Sequence, residues 1–240
     1  MIDISFYNIV VPILALSPFF AFSILCLILK KGQLCPGQHS RIQGELITIW
    51  TVIFVSLMMA VETALSNWFV SIGVLGGFYG VLLSIWQGKL PNKRAIPDKA
   101  IYGALIPLGI YALGVAFTQS TIFVLLPVIV TGCVLAQLIL VKAKHRLVAF
   151  NQLLPITGVA TSVLSLIIFG FSFMGNDSAL LLEQVTPELY WFFAFLIVGL
   201  ALWLLPLFTN DEQSYTLLGV ATFLILISQI LLYEVVVIIG

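Results

Sequence analysis

Charged side chains are scarce in this chain: Asp, Glu, Lys and Arg together make up 8% of its 240 residues. Soluble domains use about 25% charged residues, so a shortage of this size excludes an ordinary soluble fold. Basic and acidic residues number ten each, and the formal net charge is zero. The chain therefore has no excess of positive charge with which to bind nucleic acid as a partner.

Cysteine and histidine are also rare, with three and two residues. Cys26, Cys35 and Cys133 form no C-x-x-C pair that would hold zinc or an iron–sulfur cluster. His39 and His145 lie between the long apolar segments, whereas a haem inside the membrane needs axial ligands at that depth. We therefore predict no metal site, no haem and no iron–sulfur cluster in this chain, and we expect both histidines to face water or lipid headgroups.

Apolar residues dominate what is left, at 61% of the chain with a mean hydropathy of +1.18. They form segments of about 18–25 residues without the alternation of a barrel strand, which favours transmembrane helices. The sequence predicts an all-α polytopic membrane protein, with one domain over residues 1–240 and eight transmembrane helices. The predicted spans are Phe6–Leu29, Leu46–Ser66, Trp68–Trp86, Ile101–Thr118, Thr121–Val141, Leu153–Met174, Leu189–Phe208 and Thr216–Ile239.

The basic residues predict the orientation of these spans. All ten Lys and Arg follow predicted spans 1, 3 and 5, and the positive-inside rule makes that side cytoplasmic. Both termini are then outside, on a face that carries acidic residues and no basic residue. We expect the basic loops to dock a soluble partner, with these residues as the main contacts: Lys31, Arg41, Lys93, Arg94, Lys144 and Arg146.

Small residues and prolines within the spans indicate how the helices pack. Gly73, Gly76, Gly77 and Gly80 recur at the spacing of closely approaching membrane helices, so predicted span 3 should pack tightly against its neighbours. Prolines are expected to bend several spans without marking a functional site, because neighbouring groups can satisfy the freed carbonyls.

Carboxylates within apolar spans are costly unless they face protein or water, so they mark candidate functional sites. Glu62 lies near the end of predicted span 2 and is followed by the polar pair Ser66-Asn67. With a rise of about 1.5 Å per residue, both Glu62 and Glu234 are expected to be buried in the outer leaflet. Gln229 and Tyr233 share a face of predicted span 8. The alternatives are that Glu62 only caps a helix end at the headgroups and that Tyr233 belongs to the interfacial aromatic belt.

Several stretches resemble the membrane-anchor subunit of the dimethyl sulfoxide reductase family. They are Ala-Leu-Ser-Asn at 64–67, Arg146-Leu147 through LLPITGVATSVLSL, ALWLLPLF and LLGVATFLILISQILL, with the strongest likeness over residues 145–235. The resemblance implies an eight-helix protein of the bacterial inner membrane with both termini outside. Family members usually carry a longer outer segment between spans 2 and 3, and an acidic residue where this chain has Trp68.

The resemblance also implies an activity. Such a subunit holds an iron–sulfur subunit and a molybdopterin catalytic subunit on the membrane, and it passes electrons from menaquinol to the iron–sulfur subunit. Here Glu62 would accept a proton from the quinol, as a general base does. Ser66, Asn67, Gln229 and Tyr233 would bind the quinol, and Glu234 would provide a second proton exit.

Two other classes of protein fit the same composition. A small secondary transporter also has buried acids, proline-bent helices and glycine-rich packing, but its binding site usually lies near the membrane midplane. Both acids here are expected nearer the outer surface. A membrane scaffold protein without an activity of its own is the other alternative.

Overall fold

A computed structural model of the chain describes residues 6–90, 95–119, 122–144, 148–173, 178–209 and 213–239. Those residues are almost entirely helical, and no strand occurs among them. The helices are α1 (Phe6–Lys31), α2 (Pro36–Glu45), α3 (Ile47–Ala60), α4 (Asn67–Lys89), α5 (Asp98–Gly103), α6 (Leu105–Gln119), α7 (Leu125–Lys142), α8 (Val148–Phe173), α9 (Ser178–Thr209) and α10 (Tyr215–Ile239), and a 3₁₀ turn, Ile122–Val124, precedes α7.

Eight stretches of helix in this described part are long and apolar enough to cross a membrane, which confirms the predicted fold class. Two of the spans are broken: α2 and α3 form one span, and α5 and α6 form another. The second break, at Ala104, has a local cause, because Pro107 has no N–H with which to bond the carbonyl four residues earlier, at Gly103. Each broken span counts as one crossing.

The second span differs from its predicted limits of Leu46–Ser66. It begins at Pro36, ten residues earlier, and α3 ends at Ala60. Pro36 suits the first position of a helix, where no N–H is needed. At the other end, the backbone N–H and the side-chain Oγ1 of Thr63 both donate to the Ala60 carbonyl, at 3.1 and 2.7 Å, and these bonds tighten the chain into a turn.

Two spans form the centre of the bundle. About 78% of the apolar window of the α1 span is buried, and the same share is buried in the span that contains α7. Helix α1 packs against α3, α6, α7 and α10. Ser17 of α1 and Thr131 of α7 hydrogen-bond to each other inside the bundle. The outer helices α4 and α9 bury only 28% and 22% of their windows.

The glycine face of α4 packs closely against α3 and α6, as its spacing predicted. Gly73, Gly76, Gly77 and Gly80 are all buried. A Cβ atom built on Gly80 would lie 2.5 Å from the Trp50 ring, and one built on Gly76 would lie 2.9 Å from Leu108. A side chain at these positions would therefore collide with the neighbouring helix.

The two ends of the bundle differ in charge. We call the end that carries Phe6 and Ile239 the acidic end, and the opposite end the basic end. Because successive spans alternate in direction, α3, α6, α8 and α10 finish at the acidic end. That the acidic end faces outward stays a prediction. The basic end carries these described cationic residues: Lys30, Lys31, Arg41, Lys89, Lys99, Lys142 and Lys144.

Candidate functional site

The predicted site around Glu62 is an exposed turn. Glu62 lies just beyond the last residue of α3, and its side chain is exposed, so no neighbouring helix encloses it. The reason is the early end of α3 at Ala60. The predicted place of Glu62 in the outer leaflet stays a prediction. Ser66 precedes α4 and Asn67 is its first residue, and both side chains are exposed. Leu65, buried between them and Glu62, holds the turn against the bundle.

The predicted residues of α10 are more enclosed. Gln229 and Tyr233 are 1% and 2% exposed. The Gln229 amide nitrogen donates to Ser228 Oγ over 3.3 Å, and its buried Oε1 accepts no hydrogen bond from the described residues. Glu234 is half-buried, and its carboxylate is near enough to that of Glu188 on α9 for the two to repel each other.

These two groups of predicted residues do not form one site. Helix α10 packs mainly against α9, α7 and α1, whereas α3 packs mainly against α1 and α4. Helix α1 therefore contacts both groups of helices and separates the turn after α3 from α10. A site that combines Glu62 with Gln229, as the sequence suggested, is not assembled in the structure.

A cleft at the acidic end provides a more coherent candidate site. It lies between the start of α7, the end of α8 and the end of α10, and it is shallow, with enclosed room for about one water molecule. Of the residues predicted to bind quinol, Tyr233 alone lines it, and Ser165 is the other polar side chain in its wall. The remaining lining residues are apolar: Phe123, Leu126, Pro127, Ile168, Phe169, Leu232 and Val236.

The composition of this cleft limits the ligands it can take. Apolar walls with a few polar groups are typical of small-molecule sites, and this cleft has such walls but encloses far less space than those sites do. The hydroxyl groups of Tyr233 and Ser165 can each donate or accept a hydrogen bond, and neither carries charge at neutral pH. The cleft therefore suits an apolar molecule with neutral oxygen atoms. Sequence patterning did not reveal Ser165, because a single serine in an apolar helix is common and carries no periodic signal.

The basic end has a polar network that the sequence did not predict. Gln43 of α2 is 2% exposed. Its Nε2 donates to the Ile96 carbonyl over 3.0 Å, and its Oε1 accepts from the Ile96 N–H at 2.8 Å. These two bonds hold the polar helix α2 against the segment before α5. They explain why residues 36–45 are helical, although the predicted spans left them in a loop.

His39 belongs to the same network. Its Nε2 lies 3.1 Å from Asp98 Oδ1, and its Nδ1 lies 3.2 Å from Gln43 Nε2. The prediction that His39 sits in a loop was therefore wrong, because it lies in helix α2, where its ring is partly buried and held from both sides. Whether its exposed part faces water or lipid headgroups stays a prediction. His145 lies outside the described residues. Among the residues that the structure does describe, no group of three or more His, Cys, Asp or Glu side chains is placed to hold a metal ion.

The cationic side chains at the basic end fall into two kinds. Lys142 is engaged within the chain, because its Nζ lies 2.8 Å from Glu45 Oε2 and 5.7 Å from the centre of the Tyr215 ring. Lys31, Arg41 and Lys144, three of the predicted docking residues, are exposed. The other predicted docking residues lie outside the described part of the chain: Lys93, Arg94 and Arg146.

A second buried network joins three helices near the basic end. Trp203 of α9 is fully buried and donates from Nε1 to Gln137 Oε1 over 2.8 Å. Gln137 in turn donates from Nε2 to Gln213 Oε1 at 2.8 Å. Gly158 of α8 lies against the Trp203 ring. The Trp203 Nε1 group and both polar atoms of the Gln137 amide have partners, so the network helps to fix α7, α8 and α9 together.

Comparison with known proteins extends over nearly the whole chain. A family described as an integral membrane domain matches residues 2–233. An uncharacterized protein of Haemophilus influenzae is 26% identical over 231 residues, covering 90% of this chain and 81% of that protein. No solved structure matches the chain.

Proposed function

We propose, from the premise that this chain belongs to the integral membrane domain family, that it is a quinol-binding membrane-anchor subunit. The complex would be a respiratory molybdopterin oxidoreductase in the inner membrane of a bacterium. Its iron–sulfur subunit and molybdopterin catalytic subunit would be separate chains. The observation that carries the proposal is the apolar cleft with two hydroxyl-bearing residues, Ser165 and Tyr233, at the acidic end.

Menaquinol has chemistry that matches the lining of this cleft. Its isoprenoid tail requires apolar surroundings, and its two hydroxyl groups require hydrogen-bond partners. Oxidation converts the quinol to the quinone, and it releases two electrons and two protons. The electrons pass to an iron–sulfur cluster of the partner, and the protons pass to an acceptor that reaches water. Glu234 follows Tyr233 directly in α10 and lies close to Glu188. It is therefore the proposed proton acceptor.

The route of the electrons favours one end of the bundle for the iron–sulfur subunit. A bilayer core is about 30 Å thick, and electron transfer over that distance without an intermediate centre is very slow. A cluster that accepts electrons from the cleft therefore has to dock at the acidic end. The charge pattern predicts docking at the opposite, basic end, so the two predictions exclude each other for the same partner.

Labelling with a photoreactive menaquinone analogue tests the proposed function. The purified chain in lipid nanodiscs should be labelled on the peptides that contain Phe123–Pro127, Ser165–Phe169 and Leu232–Val236, because these three segments line the cleft. An excess of menaquinone should remove the label. Label on the Glu62 turn alone would move the site there, and label that menaquinone does not displace would overturn a quinol site altogether.

Charge reversal at the basic end tests where the partner docks. If the iron–sulfur subunit sits at the acidic end, the triple variant Lys31→Glu, Arg41→Glu, Lys144→Glu should retain it during purification from the native membrane. The three side chains are exposed, so the fold should tolerate the change. Loss of the subunit would confirm docking through the basic residues, and it would exclude the cleft as the place where quinol is oxidised.

A further inference from the structure

The face of α4 that points away from the bundle ends in a lysine. The glycine face of this helix is buried, whereas the large apolar side chains on its other side are exposed, and on an outer helix of a membrane protein such side chains meet lipid tails. They recur every three or four residues: Leu75, Phe78, Tyr79, Leu82, Ile85 and Trp86. Lys89 is exposed and continues the same stripe one turn after Trp86. Its ammonium group therefore stands at the end of a lipid-facing surface.

A second lysine has the same position on the neighbouring span. Lys99 is exposed in α5, and the exposed side chains of Ile106 and Leu113, seven and fourteen residues later, fall on the same face of the α5–α6 span. The backbone at the break between α5 and α6 keeps helical angles, so this face is continuous. The two spans touch where the Tyr79 hydroxyl donates to the Ala100 carbonyl over 2.9 Å. The two lysines therefore border the lipid-facing stripes of adjacent spans.

Lys89 and Lys99 form no ion pair with any residue that the structure describes. The two described carboxylates at the basic end are engaged elsewhere, because Glu45 lies 2.8 Å from Lys142 and Asp98 lies 3.1 Å from His39. An ammonium group beside lipid tails is costly unless its stem extends to the headgroups. A phosphate group there would neutralise it.

The position of Lys99 along the bundle favours lipid over a soluble protein as the partner. Tyr79, which contacts the residue after Lys99, precedes Lys89 by ten residues, or about 15 Å along α4. Lys99 is therefore set back from the end of α4, on the side of the bundle. A protein that docks on the end of the bundle does not reach this side, whereas lipid surrounds it.

We propose that Lys89 and Lys99 bind the headgroups of anionic phospholipids on the lipid-facing side of α4 and of the α5–α6 span. Each ammonium group supplies a positive charge and three N–H donors to the phosphate oxygens. The exposed apolar stripes contact the acyl tails, and Trp86 lies at the boundary between tails and headgroups, where tryptophan is enriched. The surface prefers phosphatidylglycerol to phosphatidylcholine, because the choline group of the latter already neutralises its phosphate.

Trp86 provides a reporter at the proposed lipid site, because brominated acyl tails quench the fluorescence of a tryptophan that they contact. Trp50 and Trp203 are fully buried, and Trp68 and Trp191 are exposed. In the reporter chain, with Trp68→Phe and Trp191→Phe, Trp86 is the tryptophan left exposed to lipid. At equal mole fraction in phosphatidylcholine bilayers, brominated phosphatidylglycerol should be enriched around Trp86 about fivefold or more over brominated phosphatidylcholine, since each lysine near the surface contributes about that factor.

Two variants of the reporter chain test the lysines themselves. Lys89→Gln with Lys99→Gln should lower the enrichment to about one, because the side chains keep their polarity and lose their charge. The matched control, Lys31→Gln with Lys144→Gln, removes the same charge from exposed residues of the basic end outside α4 and α5, and it should keep the enrichment. The unfolding midpoint of each chain shows whether the fold is intact.

Three results would overturn the proposal. Equal quenching by the two brominated lipids in the reporter chain would show that the surface does not select anionic lipid. Equal loss of enrichment in both double variants would show an effect of total charge without a lipid site. If the reporter chain shows no enrichment and Lys89→Gln with Lys99→Gln releases a co-purifying subunit, the two lysines bind an acidic protein surface instead.

Discussion

Replacing Glu234 by Gln should lower the menaquinol-dependent activity of the assembled complex by a factor of about 100 or more, the typical cost of losing a general base. Replacing Glu62 by Gln should leave that activity nearly unchanged. Both substitutions keep the shape of the side chain and remove its charge and its capacity to take a proton. The expected difference between them comes from position alone.

The structure explains why the loss of activity should be larger for Glu234→Gln than for Glu62→Gln. Glu234 follows Tyr233 directly, at the end of the bundle where the cleft lies, and it is half-buried near Glu188. Glu62 is exposed in the turn after α3, a helix that packs mainly against α1 and α4. A proton acceptor has to reach the proton by a hydrogen bond or through a water molecule. Glu234 is therefore the better candidate, although the sequence favoured Glu62.

The measurement is the rate of menaquinol oxidation per assembled complex, with the amount of each subunit determined separately. A tenfold or larger loss in Glu62→Gln with full activity in Glu234→Gln would return the site to the α3–α4 turn. Equal activity in both variants and in the natural chain would show that neither carboxylate accepts the proton. Poor assembly with normal activity per complex would indicate a structural role for the carboxylate that was changed.

Replacing Gly80 by Leu should destabilise the bundle by about 3 kcal/mol or more, at the upper end of the usual cost of overpacking. A Cβ atom at Gly80 meets the Trp50 ring at 2.5 Å. That ring cannot move aside easily, because it is fully buried, packs edge-on against Phe22 and donates a hydrogen bond to Ser84 over 3.1 Å. Relief therefore requires α3 and α4 to separate, which would also weaken their contacts with α1.

Gly88 provides the control on the same helix. A Cβ atom there meets nothing within 4 Å, so Gly88→Leu should be neutral, or stabilising by up to about 1 kcal/mol through the better helix propensity of Leu. Cys26 and Cys133 are buried and free, so their reaction with a thiol-specific dye reports unfolding once the exposed Cys35 has been replaced by Ser. If the unfolding midpoint of Gly80→Leu equals that of the natural chain, α3 and α4 are not packed as described.

Much of the fold follows from the sequence because its signals are local. Eight apolar stretches of membrane-spanning length predict eight helices, since an unpaired backbone is not tolerated in lipid. The glycine spacing of α4 likewise predicted close packing, because four small residues on one face leave room for a neighbouring helix. The limits of the second span were the main error, because the sequence of α2 is polar and its helix depends on bonds between Gln43 and Ile96, 53 residues away.

The candidate site depended on the tertiary structure. The sequence identified Tyr233 and Glu234 as candidates, but it also grouped Gln229 with Glu62 on the basis of similar depth, and depth does not specify which helices are neighbours. Spans that are apolar on every side carry little information about which face meets which partner. The packing of α7, α8 and α10 decides where a cleft is left and which residues line it, Ser165 and Tyr233 among them. The sequence by itself determined how many helices cross the membrane, whereas the packing between distant segments determined where a ligand can bind.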